Sequence, residues 1–509
     1  MTAKAASPNR WMIAIAAIAA TSLEAIDAFI LNVSLDNVRG SLSAAVDEVV
    51  WVLTSYLVAS TIVLPFIGWL SDRFGQKRLF MWSVLIFTGS SLLAGAAPNL
   101  ETLVLARIIQ GLGGGCLVPL SQAFMLQNFP GRERGMAMAI WGIGIKFGPI
   151  CAPVLGGWIT DNWGWRWIFY INLPLGTAAM LLASRYLPSD REHKRISRPL
   201  DVYGAFLLIL GIAALQLFLE LGHREDWFES TAIVQLGLIA VATLVLFIVH
   251  VLRHPHPIVH LRIFTNPIFA IGTLILFCVT MGQHSFLVLS PMFTKSILDY
   301  TAFLAGLVLA PGGFAHLLIM PVTGALLGRI DARWFIATGC VFVGLSMYGM
   351  ATLNAEASFV QVLLPRFVQG IGFGLTFVAL TTVTISSVPS AETTHAAGLF
   401  NLMRHLGGSL GIAFVRTSLE RDTQTFQSDL VSHVTMGEPR VQLYLEALVA
   451  KFMALGADAA MAQQQAVKFL YELVRKQALL KAFLDNFYML TWLFFVLAPL
   501  VLLLRERRR

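Results

Sequence analysis

The chain has 509 residues, is 57% hydrophobic and only 13% charged, and carries a formal net charge of +7; its mean hydropathy is +0.72. A soluble protein would be about one-quarter charged, so the composition argues against a water-soluble enzyme and for a polytopic membrane protein. Its four cysteines, Cys116, Cys151, Cys278 and Cys340, all fall in apolar runs without a CxxC spacing, so neither a disulfide framework nor a thiolate metal site is expected.

Taken in chain order, apolar runs long enough to cross a bilayer lie near residues 11–33, 48–70, 79–97, 101–126, 135–160, 166–187, 202–221, 230–252, 267–290, 301–327, 334–353, 359–388, 393–416 and 483–504. The expectation is an all-α protein of fourteen spans. The first run continues to about Val33 with no small-residue cleavage site, so no cleavable signal peptide is expected. Lysine and arginine orient the spans. Arg73, Lys77, Arg78, the cluster Arg185 to Arg198 and Arg505 to Arg509 fall on the side of the termini, whereas the short loops opposite carry Arg39, Arg166, Arg224 and Lys295. Both termini are therefore expected to be cytoplasmic.

The chain repeats itself. "GWLSDRFGQKR" from Gly68 has an echo in "GALLGRIDAR" from Gly324, and "RIIQGLGGG" from Arg107 returns as "RFVQGIGFG" from Arg366, at offsets of 256 and 259 residues. Two six-span halves (residues 1–200 and 263–509) separated by two inserted spans (201–262) account for both offset and total. Repeated halves are a transporter signature.

In the first motif, Gly68 permits close helix approach, Asp72 caps or ion-pairs a helix end, and Arg73, Gly75, Lys77 and Arg78 form a basic turn. With "AIDAFILNVSL" in span one, "RIIQGLGGG" in span four, "GIGIKFGPICAPVLGG" in span five and "WRWIFYINLPLG" from Trp165, the chain resembles the major facilitator superfamily, specifically its fourteen-span drug:proton antiporters of the EmrB/QacA type. That resemblance implies proton-driven multidrug efflux across a bacterial inner membrane, no cofactor, no enzymatic activity, and Asp27, Asn32 and Arg107 at the group's acidic, asparagine and proton-transfer positions. It also implies a periplasmic adaptor protein and outer-membrane channel as partners. Gly148, Pro149, Pro153, Gly156 and Gly157 are in register with the antiporter motif; Gln76, Ala152 and Lys146 depart from the family pattern.

An ionisable residue inside a span is costly and marks function by default. Glu24 and Asp27 share a helix face and are expected to hold a proton between them, with Arg107 compensating its charge. Gln110, Asn32, Asn401 and Arg404 are candidates for the substrate cavity or for charge partners; Arg404 either binds substrate or stabilises a broken helix, and Arg366 is either functional or structural. On α-helical geometry, Gly144, Gly148, Ala152 and Gly156 form one small-residue face and Lys146 points about 150° away; the resemblance to the antiporter motif implies that the small face packs on the opposite half. Three roles stand open for Lys146: an ion pair with Asp27 or Glu24, attraction of anionic substrates, or a structural contact. His250, His254, His256 and His260 have metal-like spacing, but Pro255 and Pro257 break the helix that would align them, and no metal site is expected. Phosphate-binding loops of the GxxxxGK[ST] kind are absent, and no nucleic-acid partner is expected. In the long segment 417–482, two amphipathic helices punctuated by Gly456 and Asp458 are expected on the outer mouth. Alternatives to a drug exporter are a proton-coupled transporter of one metabolite, lipid or weak acid, and a receptor or scaffold acting through those outer helices.

Overall fold

The computed structural model describes residues 9–190, 200–435 and 438–504; the basic residues Arg505 to Arg509, and those of the Arg185 to Arg198 cluster beyond Asp190, lie outside them. The described chain is helical. The long helices are α1 (Arg10–Leu42), α2 (Val46–Phe74, a run with short 3-10 and restart points), α3 (Gln76–Gly95), α4 (Leu100–Asn128), α5 (Arg134–Trp163), α6 (Trp167–Tyr186), α7 (Val202–Leu221), α8 (Thr231–Arg253), α9 (Pro267–Ser296), α10 (Ala302–Leu326), α11 (Ala332–Ala351), α12 (Phe359–Ser386), α13 (Thr393–His433), α14 (Pro439–Ala454) and α15 (Ala459–Leu500).

Thirteen of these are long and apolar enough to cross a membrane. The fourteenth crossing is α13, whose span-length stretch carries His395, Asn401, Arg404 and His405 and so falls short on hydropathy. It nevertheless runs through the bundle, buried at intervals from Thr393 to Leu419. A polar helix persists there because its backbone bonds are satisfied internally and its side chains face protein rather than lipid.

The structure corrects the helix ends. α1 runs to Leu42 and α13 to His433, well past the apolar runs that announced them. In the segment 417–482 α14 is a separate helix that packs on α15 through Phe452 and Phe469, but the second expected amphipathic helix is continuous with the last span as α15. Gly456, at φ +98°, ends the first and Asp458 caps the second by accepting from Met461 N–H, as their residue types foretell.

The glycines of "QGLGGG" let α4 sit against two neighbours. A Cβ on Gly111 would lie 2.6 Å from the Tyr56 carbonyl oxygen, and one on Gly113 would lie 2.9 Å from Ser83 O. The inserted α7 is lodged between the halves: Gln216 donates to Thr61 Oγ1, which in turn meets His405 Nδ1 at 3.2 Å. α8 packs outside it and is largely exposed. Their connecting loop bridges both halves through Arg224 to Asp47 at 2.5 Å and Trp227 Nε1 to Thr417 Oγ1 at 2.7 Å.

Candidate functional site

Asp27 is 1% exposed at mid-α1, and three donors converge on it. Arg107 Nη1 from α4 lies 2.6 Å from Oδ2, while Gln110 Nε2 and Asn172 Nδ2 donate to Oδ1 at 2.9 and 2.7 Å. Arg107 is equally buried and also donates through Nε to the Val52 carbonyl and through Nη1 to Gln110 Oε1. Such an ion pair tolerates burial only with this degree of hydrogen bonding. Of the two roles open for Gln110, cavity lining and charge partner, this arrangement has the second. Asn172 went unassigned, although its motif "WRWIFYINLPLG" marked the stretch.

Arg107 also lies over the Tyr56 ring, 4.2 Å from its centroid, and the Tyr56 hydroxyl donates to Glu24 Oε1 at 3.4 Å. Among the described residues no hydrogen bond joins Glu24 to Asp27. Three residues apart on one helix, the two carboxylates are drawn to different partners, one into the α4 and α6 shell and the other towards the space between the halves.

That space is basic. Lys146 and Arg404 are half-buried and electrostatically coupled to each other. Arg404 is also coupled to Glu24, and His284, His316 and His405 are coupled to one or both cations. Of the three roles open for Lys146, the ion pair with Glu24 or Asp27 is not formed in this arrangement; its amine faces Phe377 of the opposite half at 5.4 Å. The reason is the setting of α5. Gly144, Gly148 and Gly156 pack on Ile18, Ala25 and Ile30 of α1, so the small-residue face rides on its own half, not the opposite one. The other side, including Lys146, then looks across. Pro149 and Pro153 sit inside α5 without ending it, and Gly157 has only Val33 nearby, at 3.8 Å from an added Cβ.

Asn32 is exposed and takes no part in this cluster. Asn401 is fully buried and donates to Gln122 Oε1 at 2.5 Å, tying α13 to α4 rather than lining the cavity. The halves meet closely towards the end of the bundle that carries the termini. There Gly135 faces Gly324 backbone to backbone, and Gly68 faces His395, whose ring would lie 2.0 Å from a Cβ. His395 Nε2 is 3.1 Å from Asp72 Oδ2, and its ring stacks on His260 at 4.3 Å. Gln76, the departure from the basic residue usual there, donates to Thr394 Oγ1 at 3.2 Å. Gly75, at φ +91°, turns the chain between α2 and α3. Asp190 then accepts from the backbone N–H groups of Lys77 and Arg78 at 3.0 and 3.1 Å. Arg73 and Arg78 are exposed.

The second half keeps the cation and loses the anion. Arg366 is buried, donates to Gln369 and lies 4.7 Å from the Phe286 ring centroid. The 259-residue offset that takes Arg107 to Arg366 takes Asp27 to Phe286. A cation–π contact thus stands where the first half has an ion pair.

Residues 17–412 match the model for the Major Facilitator Superfamily. The chain is 34% identical over 483 residues to the multidrug export protein EmrB of Escherichia coli K12, covering 95% of this chain and 93% of that one. It is 35% identical to the fatty acid resistance protein FarB of Neisseria gonorrhoeae, with 82% of each chain covered. Among solved structures, the proton:xylose symporter XylE aligns with a TM-score of 0.58 at 16% identity, covering 83% of this chain and 90% of that one.

Proposed function

The chain belongs to the major facilitator superfamily, in its EmrB-type branch, and on that premise we propose that Asp27 and Arg107 couple proton entry to export of hydrophobic and amphiphilic small molecules. The protein is a multi-pass bacterial inner-membrane transporter driven by the proton gradient, without a cofactor. The observation that carries the coupling role is the continuous path from a buried carboxylate to the cavity: Asp27 to Arg107, Arg107 over Tyr56, Tyr56 to Glu24. Protonating Asp27 removes the charge that holds Arg107 at 2.6 Å, and Arg107 then strengthens its interaction with Tyr56 and the Glu24 carboxylate. Glu24 in turn sets how much positive charge Arg404 and Lys146 present to substrate.

The arrangement described is closed at the end of Gly68, Gly135 and His395, which we assign to the cytoplasm. The two halves rock about the central cavity to expose it to each side in turn. One proton moved inward yields about 2.3 kcal/mol per 100 mV, enough for roughly a fortyfold substrate gradient. In liposomes holding the purified protein, an imposed pH gradient drives dye accumulation, and Asp27→Asn abolishes it while dye binding persists. Gradient-driven accumulation by Asp27→Asn would refute the coupling assignment.

The charge census favours anionic amphiphiles as the preferred substrates, since Lys146 and Arg404 face the cavity with Glu24 as their acidic neighbour. The fatty acid resistance named for FarB agrees with that. We further propose that the outer end of α13 with α14 and the start of α15 receive a periplasmic adaptor protein of a tripartite pump. Exposed Leu443, Leu455 and Met461 supply apolar surface for it. Removing residues 439–454 is expected to spare transport in liposomes and abolish resistance in cells.

A further inference from the structure

The four clustered histidines do not act together. The helix ends at Arg253, and its C-cap residue His254, whose N–H bonds back to the His250 carbonyl, brings the two rings together; His260 is drawn away to stack on His395. Asp201, the N-cap of α7, meets the pair from the neighbouring helix. Its Oδ1 accepts from Gly204 N–H at 2.8 Å and lies 2.9 Å from His250 Nε2, while Oδ2 is buried without a hydrogen-bond partner. The His250 and His254 rings are 5.0 Å apart, and Tyr203 packs edge-on against His250 at 5.1 Å. One ligand atom from each of Asp201, His250 and His254 falls within 4.8 Å of the others; among the described residues this is the sole group of three or more such side chains so placed.

We propose that Asp201, His250 and His254 bind a divalent transition metal of the zinc class and so clip the adjoining ends of the two inserted helices together. Two imidazoles and one carboxylate are the donor set for a borderline ion, with water completing a tetrahedron. Bonds of about 2.0 Å place tetrahedral ligand atoms about 3.3 Å apart. The His250 to Asp201 separation already meets that spacing, and side-chain rotation of His254 closes the rest. Two changes accompany binding. The 2.9 Å contact between His250 Nε2 and Asp201 Oδ1 is replaced by bonds to the ion, and the 3.2 Å bond from His256 N–H to His254 Nδ1 is surrendered if that nitrogen is the ligand. Asp201 Oδ2 gains the partner it lacks.

The test is equilibrium dialysis of Zn²⁺ against the purified full chain in detergent, with any polyhistidine tag removed, alongside absorption spectra with Co²⁺. The expected result is one tightly held zinc per chain and cobalt ligand-field bands of a low-coordinate site. His250→Ala and His254→Ala each weaken binding about tenfold or more, which is at least the scale of losing an outer-shell partner, and His260→Ala leaves it unchanged. His254 is the half-buried C-cap residue after the end of its helix, so its variant folds even if a substitution at the buried Asp201 does not. Absence of stoichiometric zinc, or equal binding by wild type and His254→Ala, would overturn the proposal.

Discussion

Replacing Lys146 by glutamine keeps most of the side chain's length and its capacity to donate hydrogen bonds and removes its charge, which isolates the proposed selectivity for anions. Unit charges 4 Å apart interact by about 4 kcal/mol at an effective dielectric of 20. Lys146 is only half-buried, so screening and the cost of desolvating the substrate's carboxylate offset most of this. Arg404 remains to supply part of the field. A net loss of about 1.4 kcal/mol, one factor of ten in Kd, is the expected effect on an anionic amphiphile. A neutral analogue of the same length loses only the weak consequences of the missing Phe377 contact, about twofold, and a cationic analogue binds slightly better. The assay is ligand binding to protein in nanodiscs for a matched anionic, neutral and cationic series, with Lys146→Gln and Arg404→Gln alone and together. Equal weakening across all three charge types would show that Lys146 supports the cavity's shape rather than its charge, and the anion argument would fail.

Other substitutions separate the coupling half from its repeat. Arg107→Gln is expected to abolish gradient-driven transport, whereas Arg366→Gln, whose partner ring carries no charge to leave stranded, retains a substantial part; equal loss would contradict the asymmetry. Asn172→Ala withdraws one of the two donors from Asp27 Oδ1, a change of about 1.5–3 kcal/mol for a bond to a charged group, and should shift the pH profile of transport without altering expression. Gly148→Leu forces a Cβ to within 2.4 Å of the Ala25 backbone, so thermal stability in detergent falls by about 1–3 kcal/mol or the protein fails to accumulate; Gly157→Ala, with open space, is neutral. Gly68→Val displaces His395 and lowers the population closed at the inner end, read as a broader distance distribution between spin labels on Arg134 and Arg329.

The spans were legible because a bilayer selects on length and hydropathy, and the repeat was legible because two halves share motif positions. α13 shows the limit from one side: packed in protein, it tolerates polar residues that a hydropathy reading penalises, and it continues to His433 because nothing in the polar extension breaks a helix. α5 shows it from the other side. Its periodicity correctly separates Lys146 from the small-residue face, yet which neighbour that face meets is tertiary information, and α1 takes the place expected for the opposite half. Asp27 and Arg107 stood out because charge inside a span is expensive. Asn172, His284 and His316 did not, since an amide or a neutral imidazole costs far less to bury and leaves no comparable mark. The helix carrying the first of the four histidines ends at Arg253 with His254 as its C-cap, ahead of Pro255, and His260 stacks on His395 instead.

Proton release measured on adding substrate to purified, de-energised protein in weak buffer tests the central claim most directly. The account predicts release from wild type that disappears in Asp27→Asn while Glu24→Gln alters its amplitude or pH range without removing it. Release of the same size from Asp27→Asn would place the coupling proton elsewhere.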